Sequence, residues 1–333
     1  MSTQPIVRNI AGREAAPARP AWHRLLVRPE MVTLLLLIVG AIVAIRLSPF
    51  FADISYILES ATYYSEFSIV ALVLTIVIIS GEIDLSPASM MALSACLFAV
   101  SFRAGLPMPA AMAISLLSGL AMGLFNALLV VAFRLPSIIV TIGTLTLYRG
   151  IAQVLVGDHS IGAFPTWFVG IDYRTLGIVP VPVAILLVCT IVFGVYLGAT
   201  IYGRQIYQIG TSEIAARHAG IRVDRIKAGL FLASGLVSAA AGLMMASRLG
   251  TVRYDLAAGG ELQMVLIAML GGTYIYGGRG TIAGTFLASW LLVIIATGMT
   301  VANVAINAQL TVLGLLLIVS IIASNAIYSH GTR

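Results

Sequence analysis

Apolar runs of about membrane-crossing length recur ten times between residues 31 and 325, and that recurrence limits the fold more than any other feature of the chain. A hydrocarbon core about 30 Å thick asks for roughly 20 apolar residues in a helix. The runs are 31–50, 66–81, 87–102, 109–133, 136–156, 179–199, 227–247, 261–277, 281–299 and 306–325. Charged residues are 10% of the 333, against roughly 25% in ordinary globular chains. A water-soluble domain is therefore excluded, and the expected fold class is an all-α polytopic membrane protein with about ten transmembrane helices.

The first run follows Arg24 and Arg28 and has the look of a secretory signal. No small-residue cleavage site follows Ile45, and the run continues to Phe51, so a first span or signal anchor is expected instead. The net charge of +6 would suggest nucleic acid in a soluble protein, but the basic residues lie between apolar runs without interleaved aromatics, so no nucleic-acid partner is expected. Ten crossings with an inside N-terminus put 13 of the 19 basic residues on the cytoplasmic side and five outside, with Arg149 inside the fifth span. Both termini are then cytoplasmic. The expected organisation is a basic tail over 1–30, a transmembrane domain over 31–325 with a cytoplasmic loop over 200–227, and a C-terminal tail over 326–333. The basic tail can touch anionic membrane lipid. Cys96 and Cys189 lie in apolar runs without metal-ligand or disulfide spacing and read as small hydrophobes, so no metal site is expected.

The loop Tyr202–Lys227 is the longest polar stretch and holds five of the basic residues. Thr211 or Ser212 can cap a two-turn helix, Glu213 suits its first turn, and Gly220 can end it. Ala215, Ala216 and Ala219 form a small face flanked by Arg217 and His218. So short a helix needs a surface to dock on, either its own membrane domain or a cytoplasmic partner.

Four blocks in register carry a family resemblance over about residues 31–325. Glu213-Ile-Ala-Ala-Arg-His-Ala-Gly-Ile resembles the Glu-Ala-Ala…Gly loop of bacterial ABC importer permeases of the ribose, xylose and arabinose type. Ser80-Gly-Glu-Ile-Asp-Leu-Ser-Pro-Ala-Ser is similar to that family's Gly-Gly-Ile-Asp-Leu-Ser segment, and Pro136–Gly150 to its Thr-Leu-Gly-Thr…Arg-Gly segment. Leu270–Thr285 resembles its Leu-Gly-Gly-Thr…Gly-Gly-x-Gly signature. Two departures stand out: Glu82 in place of the usual Gly, and Tyr274-Ile-Tyr276 in place of smaller residues. Both fit a subfamily resembling the rhamnose and autoinducer-2 permeases.

The blocks also have local physical readings. Asp84, Ser86 and Pro87 are helix-start chemistry after the turn at Gly81. A proton relay through Glu82 and Asp84 would require intramembrane burial and is disfavoured, because the pair sits at a span boundary with no His or Lys alongside. Gly271, Gly272, Gly277, Gly278 and Gly280 lack the Lys-Ser/Thr of a phosphate loop and suit tight turns and close helix approach. The pairs Gly119/Gly123 and Gly194/Gly198 have the small-xxx-small spacing of helix packing. Asn126, Thr141, Thr144, Gln263 and Asn307 are candidate substrate-path residues; hydroxyls and amides at depth also bridge helices. Arg149 is the one intramembrane charge the hydropathy pattern shows, so a neutral polyhydroxylated solute is expected.

An intramembrane enzyme would need paired carboxylates, a metal set or an activated nucleophile at depth, and none is visible. A secondary transporter of a small neutral solute, the alternative, would need a coupling-ion acid or an inverted repeat. The resemblance instead implies a non-catalytic permease subunit in the bacterial inner membrane, with a fold similar to the cobalamin-importer type. It implies cytoplasmic ABC ATPase subunits that use ATP-Mg, no cofactor bound by this chain, a second permease copy or paralogue, and a periplasmic sugar-binding protein. Thr211, Ser212, Glu213, Ala215, Ala216, Arg217 and Gly220 are then the ATPase-coupling residues, and transport proceeds by alternating access.

Overall fold

The computed structural model describes residues 29–330, so most of the basic tail and the last three residues lie outside the described part. Each of the ten apolar runs contains a helix. In chain order the long helices are α1 (Pro29–Leu47), α2 (Ile54–Ile79), α3 (Pro87–Arg103), α4 (Met108–Ala127) and α5 (Ser137–Val156). After a one-turn helix α6 (Thr166–Val169) and a two-stranded hairpin of β1 (Thr175–Leu176) and β2 (Val179–Pro180) come α7 (Val181–Ala199), α8 (Ile201–Thr211) and α9 (Glu213–His218). The chain closes with α10 (Val223–Leu249), α11 (Gly260–Leu270), α12 (Ile282–Val301) and α13 (Ile306–His330). Seven of these are long and apolar enough to cross a membrane; α3, α11 and the apolar part of α13 are shorter.

Two helices form the centre. The second half of α2 is buried all round, with Val70 through Ile79 closed to solvent, and α3 buries Met90, Met91, Cys96 and Phe98 completely. A helix apolar on every side and buried on every side belongs in a core. By contrast, α1, α5, α7 and α13 keep apolar side chains such as Leu35, Ile139, Ile191 and Ile318 exposed, the surface expected of a lipid boundary.

Small residues set the closest crossings. A Cβ at Gly119 would meet Gly235 O and Ala239, and one at Gly123 would meet Phe231 O, so α4 and α10 touch backbone to backbone. The other pair behaves differently: Gly198 has nothing within 4 Å and Gly194 only the end of Ile282. Spacing alone did not distinguish a packed seam from a lipid-facing one.

Three boundaries moved. The run expected to start at residue 66 belongs to a helix that starts at Ile54, where Asp53 caps it by accepting from Ser55 N at 2.9 Å. Serines, tyrosines and Glu59 had hidden its first three turns. The run 261–277 stops at Leu270, because Gly271 and Gly272 open a loop. The last helix continues through Asn325 to His330.

Candidate functional site

The loop between α7 and α10 folds as the local chemistry dictates. Thr200 accepts from Gly203 N at 3.1 Å and starts α8, whose Gly203, Ile206 and Ile209 are buried along one stripe. Ser212 then accepts from Ala215 N at 3.3 Å and starts α9; of the two proposed caps, Thr211 instead ends α8. Gly220 has a positive φ of 79° and closes the turn. Ala216 is buried against the membrane domain, while Ala215, Ala219 and Ile214 face outward, Ile214 with 74% exposure.

Two of the motif blocks meet beneath this loop. Gly278 N donates to Ile79 O at 2.8 Å, and Tyr207 Oη to Gly280 O at 2.7 Å. A Cβ at Gly210 would fall on Ile79 O and Gly278 N, and one at Gly277 would lie 2.9 Å from Gly81 Cα. Gly277 and Gly278 also hold φ of 86° and 76°, where any other residue is strained. The glycine cluster is thus the seat on which α8 rests. Gly271 lets α11 approach Thr285 and Gly284 of α12.

Charged side chains tie α9 to two other elements. Arg217 donates to Glu213 Oε1 at 2.8 Å and to Asp224 Oδ2 at 3.1 Å. Lys227 Nζ, on α10, donates to Glu213 Oε2 at 2.6 Å and to Glu82 Oε1 at 2.5 Å. The hydrogen bond from Lys227, helped by Arg217, holds the Glu213 carboxyl below its ordinary range despite partial burial. Asp224 and Glu213 push the Arg217 guanidinium further up. These groups line a cavity of about 420 Å³ together with Arg134.

Sequence spacing showed no Lys or His beside Glu82 and Asp84, and the fold corrects this by bringing Lys227 to Glu82. A signal was present: Lys227 is the only lysine among 19 basic residues.

Asp84 and Ser86 form the adjoining knot. Asp84 is buried and accepts from Ser86 N at 3.0 Å, Ser86 Oγ at 2.6 Å and Ser234 Oγ at 2.7 Å. Asn126 Nδ2 donates to Ser86 Oγ at 2.9 Å, and Tyr148 Oη lies 3.1 Å from Asn126 Oδ1. Thr141 Oγ1 donates to Ile83 O and Ser137 Oγ accepts from Ile83 N. Of the candidate path residues, Asn126 and Thr141 are therefore buried in bonds that join separate elements, while Thr144 is buried with its hydroxyl turned to Thr141 O of its own helix. Gln263 instead lines a cavity of about 560 Å³ with Phe67 and Thr251, and Asn307 is exposed at the start of α13.

At the opposite end of α10 lies a second charge cluster that hydropathy missed. Glu66 is fully buried on α2 and accepts from Arg248 Nε at 2.7 Å, with Asp172 3.8 Å from the same nitrogen. Arg149 was therefore not the only charge at depth; reading the span from residue 66 had put Glu66 at its edge. Arg149 itself donates to Tyr254 O and Leu256 O and anchors the loop before α11.

With this geometry in place, comparison with known proteins is specific. The family described as "Branched-chain amino acid transport system / permease component" matches residues 56–321. The chain is 35% identical over 301 residues to the autoinducer 2 import system permease protein LsrD of Escherichia coli (strain K12) and of Shigella flexneri, covering 88% of this chain and 91% of each relative. No solved structure matches it.

Proposed function

The chain belongs to the permease-component family described for branched-chain amino acid transport systems and is a permease subunit of a sugar-type ABC importer, and from that premise we propose its cargo and working parts. The cargo is a small neutral polyhydroxylated solute of the autoinducer-2, rhamnose or pentose type. The observation that carries this reading is the 35% identity to an autoinducer-2 import permease along 88% of the chain.

The ATPase docks on the outward face of α9. An exposed isoleucine on a short capped helix, set over a rigid glycine seat, has the form of a hot spot for a partner's groove. The loop then lies on the cytoplasmic side with both termini, where ATP-Mg is available to the partner. ATP hydrolysis belongs to that partner, a second permease copy or paralogue completes the path, and a periplasmic binding protein delivers the solute. The buried Glu66 does not restore an ion-coupled reading, because Arg248 neutralises it directly.

The test is reconstitution in proteoliposomes with the ATPase, the paired permease and the binding protein encoded alongside. Uptake of autoinducer-2 is expected to require ATP and all subunits, with D-ribose as the comparison solute. Uptake driven by a proton or sodium gradient without ATP, or ATP hydrolysis by the purified chain alone, would overturn the proposal.

A further inference from the structure

Glu82 is a shielded carboxylate on the turn that opens α3, and docking alone gives it no task. The turn it occupies, residues 80–86, is hydrogen-bonded to three helices. Ile83 binds α5 through Ser137 and Thr141, Asp84 binds α10 through Ser234, and Ser86 binds α4 through Asn126 before α3 begins at Pro87. A shift of this turn must therefore move α3, the buried helix at the centre.

Lys227 joins this hub to α9. Its ammonium holds Glu82 Oε1 on one side and Glu213 Oε2 on the other, and its side chain is only 10% exposed, as Glu82's is 12%. An ion pair this shielded is far less weakened by salt and water than an exposed one. A compact ammonium with three donors can join two carboxylates that approach from different directions. The chain uses arginine at every other basic position and lysine only here.

Resting on the docking reading above, we propose that Lys227 is a positioning residue that carries movement of α9 to the 80–86 turn, and so to α3, through its paired bonds to Glu213 and Glu82. The glycine seat supports α8 from below through rigid backbone contact. The lysine bridge is the polar link between α9 itself and the start of α3, and it crosses three elements in two bonds.

The test uses the assembled complex in nanodiscs and needs no cargo. Hydrogen–deuterium exchange is compared between the nucleotide-free and the ATP–vanadate-trapped complex for wild type, Lys227→Met and Glu82→Gln. In wild type both α8–α9 (201–218) and the 81–103 segment are expected to respond to trapping. In Lys227→Met the response at 81–103 should fall below a quarter of wild type, and in Glu82→Gln to about half, while 201–218 still responds. Lys227→Cys, in a Cys189→Ala background and alkylated with 2-bromoethylamine to restore an amine of similar reach, should recover the response. An unchanged response at 81–103 in both variants would overturn the proposal. If Lys227→Met does not reach the membrane folded, Glu82→Gln, which keeps the Lys227–Glu213 pair, decides alone. A wild-type complex that fails to form, or shows no response at 201–218, would overturn the docking reading and with it this one.

Discussion

Glu66 accepts a hydrogen bond from Arg248 Nε at 2.7 Å, twelve residues into α2 and at the start of its buried second half. At 1.5 Å per residue the acid stands about 18 Å from the start of α2. Arg248 reaches it from the far end of α10 with its guanidinium 5.5 Å from the Tyr63 ring centroid. A carboxylate so placed is held by its partner, since an isolated ionised group at depth would cost far more than it could recover.

Removing one member of that pair should be worse than removing both. Arg248→Met leaves Glu66 and Asp172 facing each other without a cation, and breaking a buried pair costs roughly 3–5 kcal/mol. Glu66→Gln combined with Arg248→Met removes the stranded charge and should recover much of the loss. Thermal unfolding of the detergent-purified chain, followed by tryptophan fluorescence, checks the order; equal losses in the single and double variants would show that the pair carries no such strain.

Asp172 makes the same cluster sensitive to pH. Burial first, then the neighbouring Glu66 charge, push its carboxyl up to about 7, against a smaller opposing pull from Arg248. The folded protein therefore holds this proton more tightly than the unfolded chain does. The contribution to stability is complete below the ordinary carboxylate range and is lost as pH rises towards about 7. Wild type should melt lower at pH 8 than at pH 5, and Asp172→Asn should flatten that difference. A slope that persists undiminished in the variant would assign it to other groups.

Much of this arrangement was legible before any coordinates, and the parts that were not share a cause. Apolar run length placed all ten long helices, and cap chemistry placed α9 to within a residue, because both are local. The start of α2 was misplaced because Ser55, Glu59, Ser60 and Ser65 lower hydropathy where the helix is in fact continuous. The Ser65 hydroxyl, for one, is met inside the helix by Ala61 O at 2.8 Å, and a hydropathy window cannot see that. Glu66–Arg248 and Lys227–Glu82 join residues 182 and 145 apart, a separation that no motif spans. Asn126 and Thr141 were visible as polar residues at depth, but only packing shows that they close a seam of hydrogen bonds.

Gly210 and Gly198 should answer the same substitution in opposite ways. Gly210→Ala would drive a methyl into Ile79 O and Gly278 N and break the hydrogen bond between them, an overpacking cost of roughly 1–3 kcal/mol or more. Gly198→Ala meets nothing within 4 Å near the end of α7 and should be neutral or stabilising by up to about 1 kcal/mol. Expression level and melting temperature in detergent check the contrast; a Gly210→Ala protein as stable as wild type would mean that the glycine seat is not tightly packed.

The docking face gives the last contrast. Ile214 is 74% exposed, whereas Glu213 is already bound to Arg217 and Lys227 within the chain. Glu213→Arg would therefore set three cations together and disturb α9 itself, so loss of the ATPase in that variant would not isolate docking. Ile214→Asp changes only the outward side chain. It should leave membrane insertion and melting intact while weakening ATPase association roughly thirtyfold, the scale of a hot-spot residue worth about 2 kcal/mol. Co-purification from membranes with a tagged ATPase subunit reads the result. Full retention of the ATPase by Ile214→Asp would place the docking surface elsewhere on the loop.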